Sequence, residues 1–197
     1  MSNEKKYQVR NQKILDTAEK LIKHKGYHHF KMSDISGELE IAKGTIYNHY
    51  PSKEDLLFAL IYPKLKHFRD ELRQIAGANH SFEETFRIAI RKAIESEYHQ
   101  FLLLTFSDVA VLFQEKNQKH MELIQDEIIQ EFKNILILGI NEGVVKGDIS
   151  VDFLSYQILS ALNPLLHSLL VIETAKMTHD DFVKQTTELL LYGIRKG

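Results

Sequence analysis

Apolar residues recur at helical spacing along almost the whole chain. Ile14, Leu15, Ala18, Leu21 and Ile22 fall at i, i+1, i+4, i+7 and i+8, which is one face of a helix. Lys23, His24 and Lys25 follow, then Gly26; cations in a last turn and a glycine just beyond it stop a helix. The spacing predicts a first helix over about 8–25, a short second over about 32–39 with Met32, Ile35 and Leu39 inward, and a third over about 43–50 ended by Pro51. Ser52 caps the next, Asp55 completes a capping box, and Leu56, Leu57 and Leu60 open its apolar face. Pro63 is expected to kink or end that helix. Further helices are expected over about 64–77, 81–98, 99–115, 118–144, 151–173 and 179–195, two of them opened by capping boxes, Ser81 with Glu84 and Thr178 with Asp181. The breaks fall at Gly77-Ala78-Asn79, Glu115-Lys116-Asn117 and Gly147-Asp148. With β-branched alternation scarce, the pattern implies an all-α fold of about nine or ten helices and no sheet.

Three short helices followed by a fourth match a helix-turn-helix unit preceded by a support helix. The turn would be Glu40-Ile41-Ala42, with Ile41 and Ile46 facing the core and Lys43, Thr45, Tyr47, Asn48 and His49 left for solvent or a ligand. Gly44 sits in the first turn of the third helix, where it costs about 0.5–1 kcal/mol relative to alanine. A bare backbone there lets another surface approach, and a helix amino terminus attracts phosphate through its free N–H groups and dipole. In a helix-turn-helix the first residues of the second helix touch base edges. Tyr47 and His49 can donate to phosphate oxygens and Lys53 can neutralise one. Asn48 can pair bidentately with adenine and Lys43 with guanine. The competing account is that Gly44 only eases a tight turn and the aromatics pack the unit; for Tyr50, packing against the first helix is the expectation.

Charge sharpens this picture. The chain carries a formal charge of −2, but residues 1–53 hold ten lysines and arginines against six acids, so the front is +4 and the remainder −6. A basic front on an acidic body points to a polyanionic partner. The absence of cysteine excludes disulfides, thiolate metal sites and a catalytic thiol, and fits a reducing cytoplasm. The start, MSNEKKYQVR, lacks the apolar stretch of a signal peptide. The most apolar window, Phe101 to Phe113, is shorter than the roughly 20 residues that span a bilayer and contains Asp108, so no membrane association is expected.

The run LEIAKGTIYNHYPSKEDL from Leu39 to Leu56, with Gly26-Tyr27 and Ile35-Ser36 before it, resembles the DNA-binding domain of the tetracycline-repressor (TetR) family. The family pattern is roughly Ala-Gly-Val-Ser-x-Gly-Thr-Leu-Tyr-x-His-Phe-x-Ser-Lys-Glu-x-Leu. The resemblance covers about residues 10–57; beyond it only helical layout and length agree. Three positions depart from the pattern. Glu40 stands where the turn usually has glycine, Ala42 where a serine usually caps the recognition helix, and Lys31 where Thr or Ser usually caps the second helix. Lys31 can still reach phosphate and Ser33 can serve as the substitute cap. The resemblance implies a DNA-binding domain over 1–57 and an effector-binding and dimerisation domain over 58–197. Its DNA-binding set would be Lys31, Ser33, Lys43, Gly44, Thr45, Tyr47, Asn48, His49 and Lys53.

The body agrees in two respects. The helices expected over 151–173 and 179–195 are apolar on more than one face, so a second face needs covering; four such helices from two subunits would form a homodimer interface. The region 81–115 is rich in aromatics. Phe86, Tyr98, Phe101, Phe106 and Phe113, with Asn163 and His167, are the candidate lining of a site for a small apolar or amphipathic effector. The plain alternative is that they are core. No cofactor, metal site or catalytic constellation is expected: there is no Gly-rich phosphate loop or nucleophile elbow, and Gly26 ends the helix between His24 and His28. The sequence reads as a dimeric, ligand-responsive regulator of transcription, a repressor that leaves a near-palindromic operator when its effector binds. The alternative is a helical ligand-binding or adaptor protein that has lost specific DNA binding.

Overall fold

The structure, a computed structural model of the 197-residue chain, describes residues 2–109, 117–162 and 176–195, with the backbone alone at 104 and 106–109. Among the described residues there are nine helices and no strand: α1 (Asn3–Lys25), α2 (Met32–Glu38), α3 (Lys43–His49), α4 (Lys53–Ala76), α5 (Phe82–Glu95), α6 (Glu97–Val109), α7 (Gln118–Asn141), α8 (Val151–Ala161) and α9 (His179–Ile194). Contacts divide the chain into two compact units, residues 1–63 with 104–118 and residues 64–103 with 119–197.

In the first unit α1 to α4 all contribute to the core, with Ile14, Ala18 and Ile22 of α1, Ile35 of α2, Ile46 of α3 and Leu57 and Ile61 of α4 buried. The α1 stop works as its chemistry suggests: Gly26 sits at φ +75° and its N–H closes onto the Ile22 carbonyl at 2.8 Å. The start of α1 lies five residues earlier than the apolar spacing indicates, because Ser2 caps it by accepting the Lys5 N–H.

Pro63 neither ends nor divides its helix. The separate helices expected on its two sides are one, α4, running from Lys53 through Ala76. Proline costs a helix about 3 kcal/mol through one lost hydrogen bond and a clash. Against that, Leu57, Leu60 and Ile61 before it and Leu65, Phe68 and Leu72 after it are all buried, at about 1.5–3 kcal/mol each. The break expected after residue 98 lies instead at Ser96, whose backbone is extended. Its hydroxyl accepts the His99 N–H at 3.1 Å and donates to the Ala93 carbonyl at 3.0 Å, so it closes α5 and opens α6.

The second unit is assembled around α5, whose inner face buries Phe82, Phe86, Ala89, Ile90 and Ile94. Three basic residues of its helical neighbourhood join it to α9: Arg87 to Glu188, Arg91 to Asp180 at 3.2 Å and Arg195 to Glu83 at 2.9 Å. Helix α7 comes very close to α5 at Gly139, where an added Cβ would lie 2.5 Å from Val145 and 2.6 Å from the Phe82 ring. Ser81, Ser150 and Thr178 cap α5, α8 and α9. No helix among the described residues is long and apolar enough to cross a membrane.

Candidate nucleic-acid interface

The turn between α2 and α3 is built on a left-handed residue that is not glycine. Glu40 has φ +53°, and the chain folds past it so that the Ile41 N–H reaches the Ser36 carbonyl at 3.1 Å. The position thus keeps the conformation that favours glycine, at a cost of roughly 1–2 kcal/mol for a residue with a Cβ. Ala42 then opens α3 without a side-chain cap. At the start of α2, Ser33 does not replace the missing cap. Asp34 supplies the other half of a capping box, accepting the Lys31 N–H at 3.2 Å and the Lys25 ammonium at 3.2 Å. The Lys31 N–H, and then Lys25, hold the Asp34 carboxyl below its ordinary range.

Helix α3 turns Ile46 into the core and leaves Lys43, Gly44, Tyr47 and Asn48 exposed, with Thr45 half-buried. An added Cβ at Gly44 would meet nothing within 4 Å, and its backbone is ordinary helix. Neither packing nor turn geometry within the unit therefore calls for glycine there. Lys31 and Lys43 form no ion pair among the described residues, so both remain available to an anion.

Two of the expected contact residues are engaged inside the unit. The His49 ring stacks on Tyr7 at 4.1 Å between centroids and 17° between planes, and its Nδ1–H donates to Asn11 Oδ1 at 3.2 Å. Burial first, and then Arg10, lower the His49 pKa, so the neutral ring keeps only an acceptor on its other nitrogen. The Asn11 amide also hydrogen-bonds Tyr50, which is buried against α1 as its neighbours suggest. The Lys53 ammonium donates to the Tyr27 carbonyl at 2.6 Å and lies 4.0 Å from the centre of the Tyr27 ring. It ties the start of α4 to the loop after α1. Tyr7, Asn11 and Arg10 are the residues that sequence spacing passed over. Their signal was weak but present: Tyr7, Asn11, Ile14 and Ala18 continue the inner stripe of α1 toward its amino terminus.

Of the candidate effector residues, Phe86 and Phe101 are buried, and Tyr98 is half-buried with its ring parallel to that of Phe68 at 6.5 Å. The Phe106 side chain, Phe113, Asn163 and His167 lie outside the described residues. His99 adds a polar group to this region. It is 4 % exposed, its Nδ1–H donates to the Ile94 carbonyl at 2.7 Å, and its Nε2 is buried with no hydrogen-bond partner among the described residues. Burial pushes its pKa down to about 4. Among the described residues no group of three His, Asp or Glu side chains is placed to hold a metal ion.

A helix-turn-helix with an exposed recognition helix defines a DNA-binding protein of the regulator class, and comparison with known proteins agrees. The family model for bacterial regulatory proteins of the tetR family matches residues 14–60. The chain is 31 % identical over 139 residues to the fatty acid metabolism regulator protein of Bacillus subtilis, covering 69 % of each chain. Among solved structures, a TetR/AcrR-family transcriptional regulator from Thermobifida fusca is similar over 95 % of this chain and 100 % of that one, with a TM-score of 0.73 at 22 % identity. The Bacillus subtilis regulator FadR, in complex with stearoyl-CoA, is similar over 93 % and 98 %, with a TM-score of 0.66 at 24 % identity. This chain belongs to the tetR family of bacterial regulatory proteins. It is an all-α, DNA-binding transcriptional regulator whose helix-turn-helix is α2 and α3.

Proposed function

We propose that the protein is a homodimeric repressor that binds a near-palindromic operator and leaves it when a small apolar or amphipathic effector binds residues 58–197. The observation that carries the DNA side is Gly44: a glycine in ordinary helix, beside open space, flanked by the exposed Lys43, Tyr47 and Asn48. Such a gap suits the close approach of a groove edge. Lys43 would face guanine and Asn48 adenine, with Tyr47 and Lys31 on phosphates. His49 and Lys53 would act mainly by fixing α3 and α4, since their polar atoms are engaged within the unit.

Dimerisation is supported by apolar groups left uncovered on the last helices: Phe153 and Tyr156 on α8, and Leu189 and Tyr192 on α9, are each more than half exposed. An apolar effector is supported by the buried aromatics of α5 and α6, and by the acyl ligand held by the FadR neighbour. Helix α4 belongs to both units, so an effector that shifts it would change how α3 is presented. Such a coupling amounts to about 1–3 kcal/mol and is reciprocal, so operator DNA would weaken effector binding by the same factor.

The test is selection of bound fragments from the source genome by the purified protein at two salt concentrations. Recovery of one near-palindrome at both supports the reading. Recovery of unrelated fragments that vanish at the higher salt, with or without candidate acyl effectors, refutes it and leaves a helical ligand-binding protein without operator recognition.

A further inference from the structure

The first eleven residues of α1, 3–13, are helical although none of them is buried; the first buried side chain of the helix is Ile14. A core does not explain this extension. What attaches it is the Tyr7 ring stacked on His49 at 4.1 Å, with Asn11 bridging His49 and Tyr50. These contacts set the start of α1 beside the carboxy-terminal end of α3.

The charges along α1 are sorted. At about 100° of turn per residue, Lys6, Arg10 and Lys13 fall within an arc of about 60°. Glu4, Asp16 and Glu19 fall outside that arc and each has a neighbour: Glu4 accepts from Gln8 at 3.5 Å, Asp16 from Gln12 at 2.8 Å, and Glu19 pairs with Lys23 at 2.8 Å. Lys6, Arg10 and Lys13 are exposed and form no ion pair among the described residues. They stand at i, i+4 and i+7, so like charges repel along the ridge. Arg10 is near enough to His49 to disfavour its protonation. A self-repelling cationic ridge, held at the edge of the recognition helix, fits a partner with regularly spaced negative charge.

We propose that Lys6, Arg10 and Lys13 form a second DNA contact, on the sugar–phosphate backbone beside the bases that α3 faces. Tyr7 is the positioning residue, acting through its stack on His49. This rests on the reading of α3 as the recognition helix.

The experiment measures affinity for the selected operator duplex across a salt series. The proteins are the wild type, a Lys6→Gln, Arg10→Gln, Lys13→Gln triple variant, and Lys5→Gln, which lies outside the ridge. Losing three phosphate contacts lowers the slope of log affinity against log salt by about 2.7 per protomer. Between about 50 and 200 mM salt, the fall in affinity then shrinks by a factor of about 40 per protomer. Lys5→Gln keeps the wild-type slope. Tyr7→Ala lowers the slope as well, and Tyr7→Phe, which retains the stack, does not. If the triple variant and the wild type share one slope, the proposal is overturned while operator recognition by α3 stands. If the wild type selects no sequence, the recognition reading falls and the proposal with it.

Discussion

Replacing Gly44 with alanine should push stability and operator affinity in opposite directions. The added Cβ meets nothing within 4 Å and the backbone there is already helical, so no strain opposes it. Alanine is the better helix former by about 0.5–1 kcal/mol. For a chain of this size about 1 kcal/mol raises the melting midpoint by roughly 2–4 °C. On DNA the same methyl fills the gap that lets the groove edge approach. Displacing α3 enough to loosen one bidentate base contact costs about 1–3 kcal/mol, or roughly 5- to 150-fold in affinity per half-site. Thermal unfolding followed by circular dichroism gives the first quantity, and fluorescence anisotropy on a labelled operator at fixed salt gives the second. A more stable protein with unchanged operator affinity would show that the open space at Gly44 has nothing to do with DNA. A less stable protein would show that the helix needs glycine for a reason of its own.

Three other substitutions follow from the same geometry. Glu40→Gly removes a left-handed cost of roughly 1–2 kcal/mol and adds about 0.4–1 kcal/mol of unfolded-state entropy, so denaturant unfolding should show a net gain of about 0.5–1 kcal/mol. Gly139→Ala drives a Cβ to within 2.5 Å of Val145 and 2.6 Å of the Phe82 ring, and should destabilise by about 1–3 kcal/mol in the same assay. His99 titrates near pH 4 when folded and near 6.5 when unfolded. The unfolded chain therefore takes up the proton first as pH falls, and stability present above about pH 6.5 declines toward pH 4 by up to about 3 kcal/mol. His99→Asn keeps a donor for the Ile94 carbonyl but does not titrate. Urea midpoints at the two ends of that pH window should differ less for it than for the wild type, and equal differences would refute the assignment.

Much of the fold was legible because helical periodicity is a local signal. The Ile14-to-Ile22 stripe, the Gly26 stop and the caps at Ser52, Ser81 and Thr178 all act within one or two turns, and each appears where its chemistry places it. The helix runs on past Pro63 because the proline penalty is local while the burial that overrides it is tertiary: Leu65, Phe68 and Leu72 are buried, and the Phe68 ring lies 6.5 Å from that of Tyr98, on another helix. Apolar spacing has no means of registering the early start of α1, because none of its first eleven residues is an aliphatic side chain buried in the core. In the candidate site, spacing placed Lys43, Tyr47 and Asn48 outward, as the structure has them, since that depends on helical phase alone; Thr45 and His49, expected with them, are half-buried. It could not show that His49 and Lys53 are held within the unit, because their partners lie 38 and 26 residues away.

Those distant partners also resolve the departures from the family pattern. Helix α3 has seven residues and no side-chain cap, and α2 has seven residues and a lysine at its cap position. Helices this short are marginal in isolation, since nucleation is costly and few hydrogen bonds repay it. Their stability has to come from outside. Asp34 supplies the α2 start by reaching back to the Lys31 N–H, and Lys25 of α1 holds that carboxylate. Asn11 and Tyr7 of α1 secure the end of α3 through His49 and Tyr50. Lys53 locks the following helix onto Tyr27. The loss of a capping hydroxyl at positions 31 and 42 is thus offset by contacts that run to α1 and the loop after it. The support helix does more here than bury an apolar face: it fixes the register of the recognition helix. Perturbing α1 at Tyr7 or Asn11 should therefore loosen operator recognition without touching any residue that faces a base.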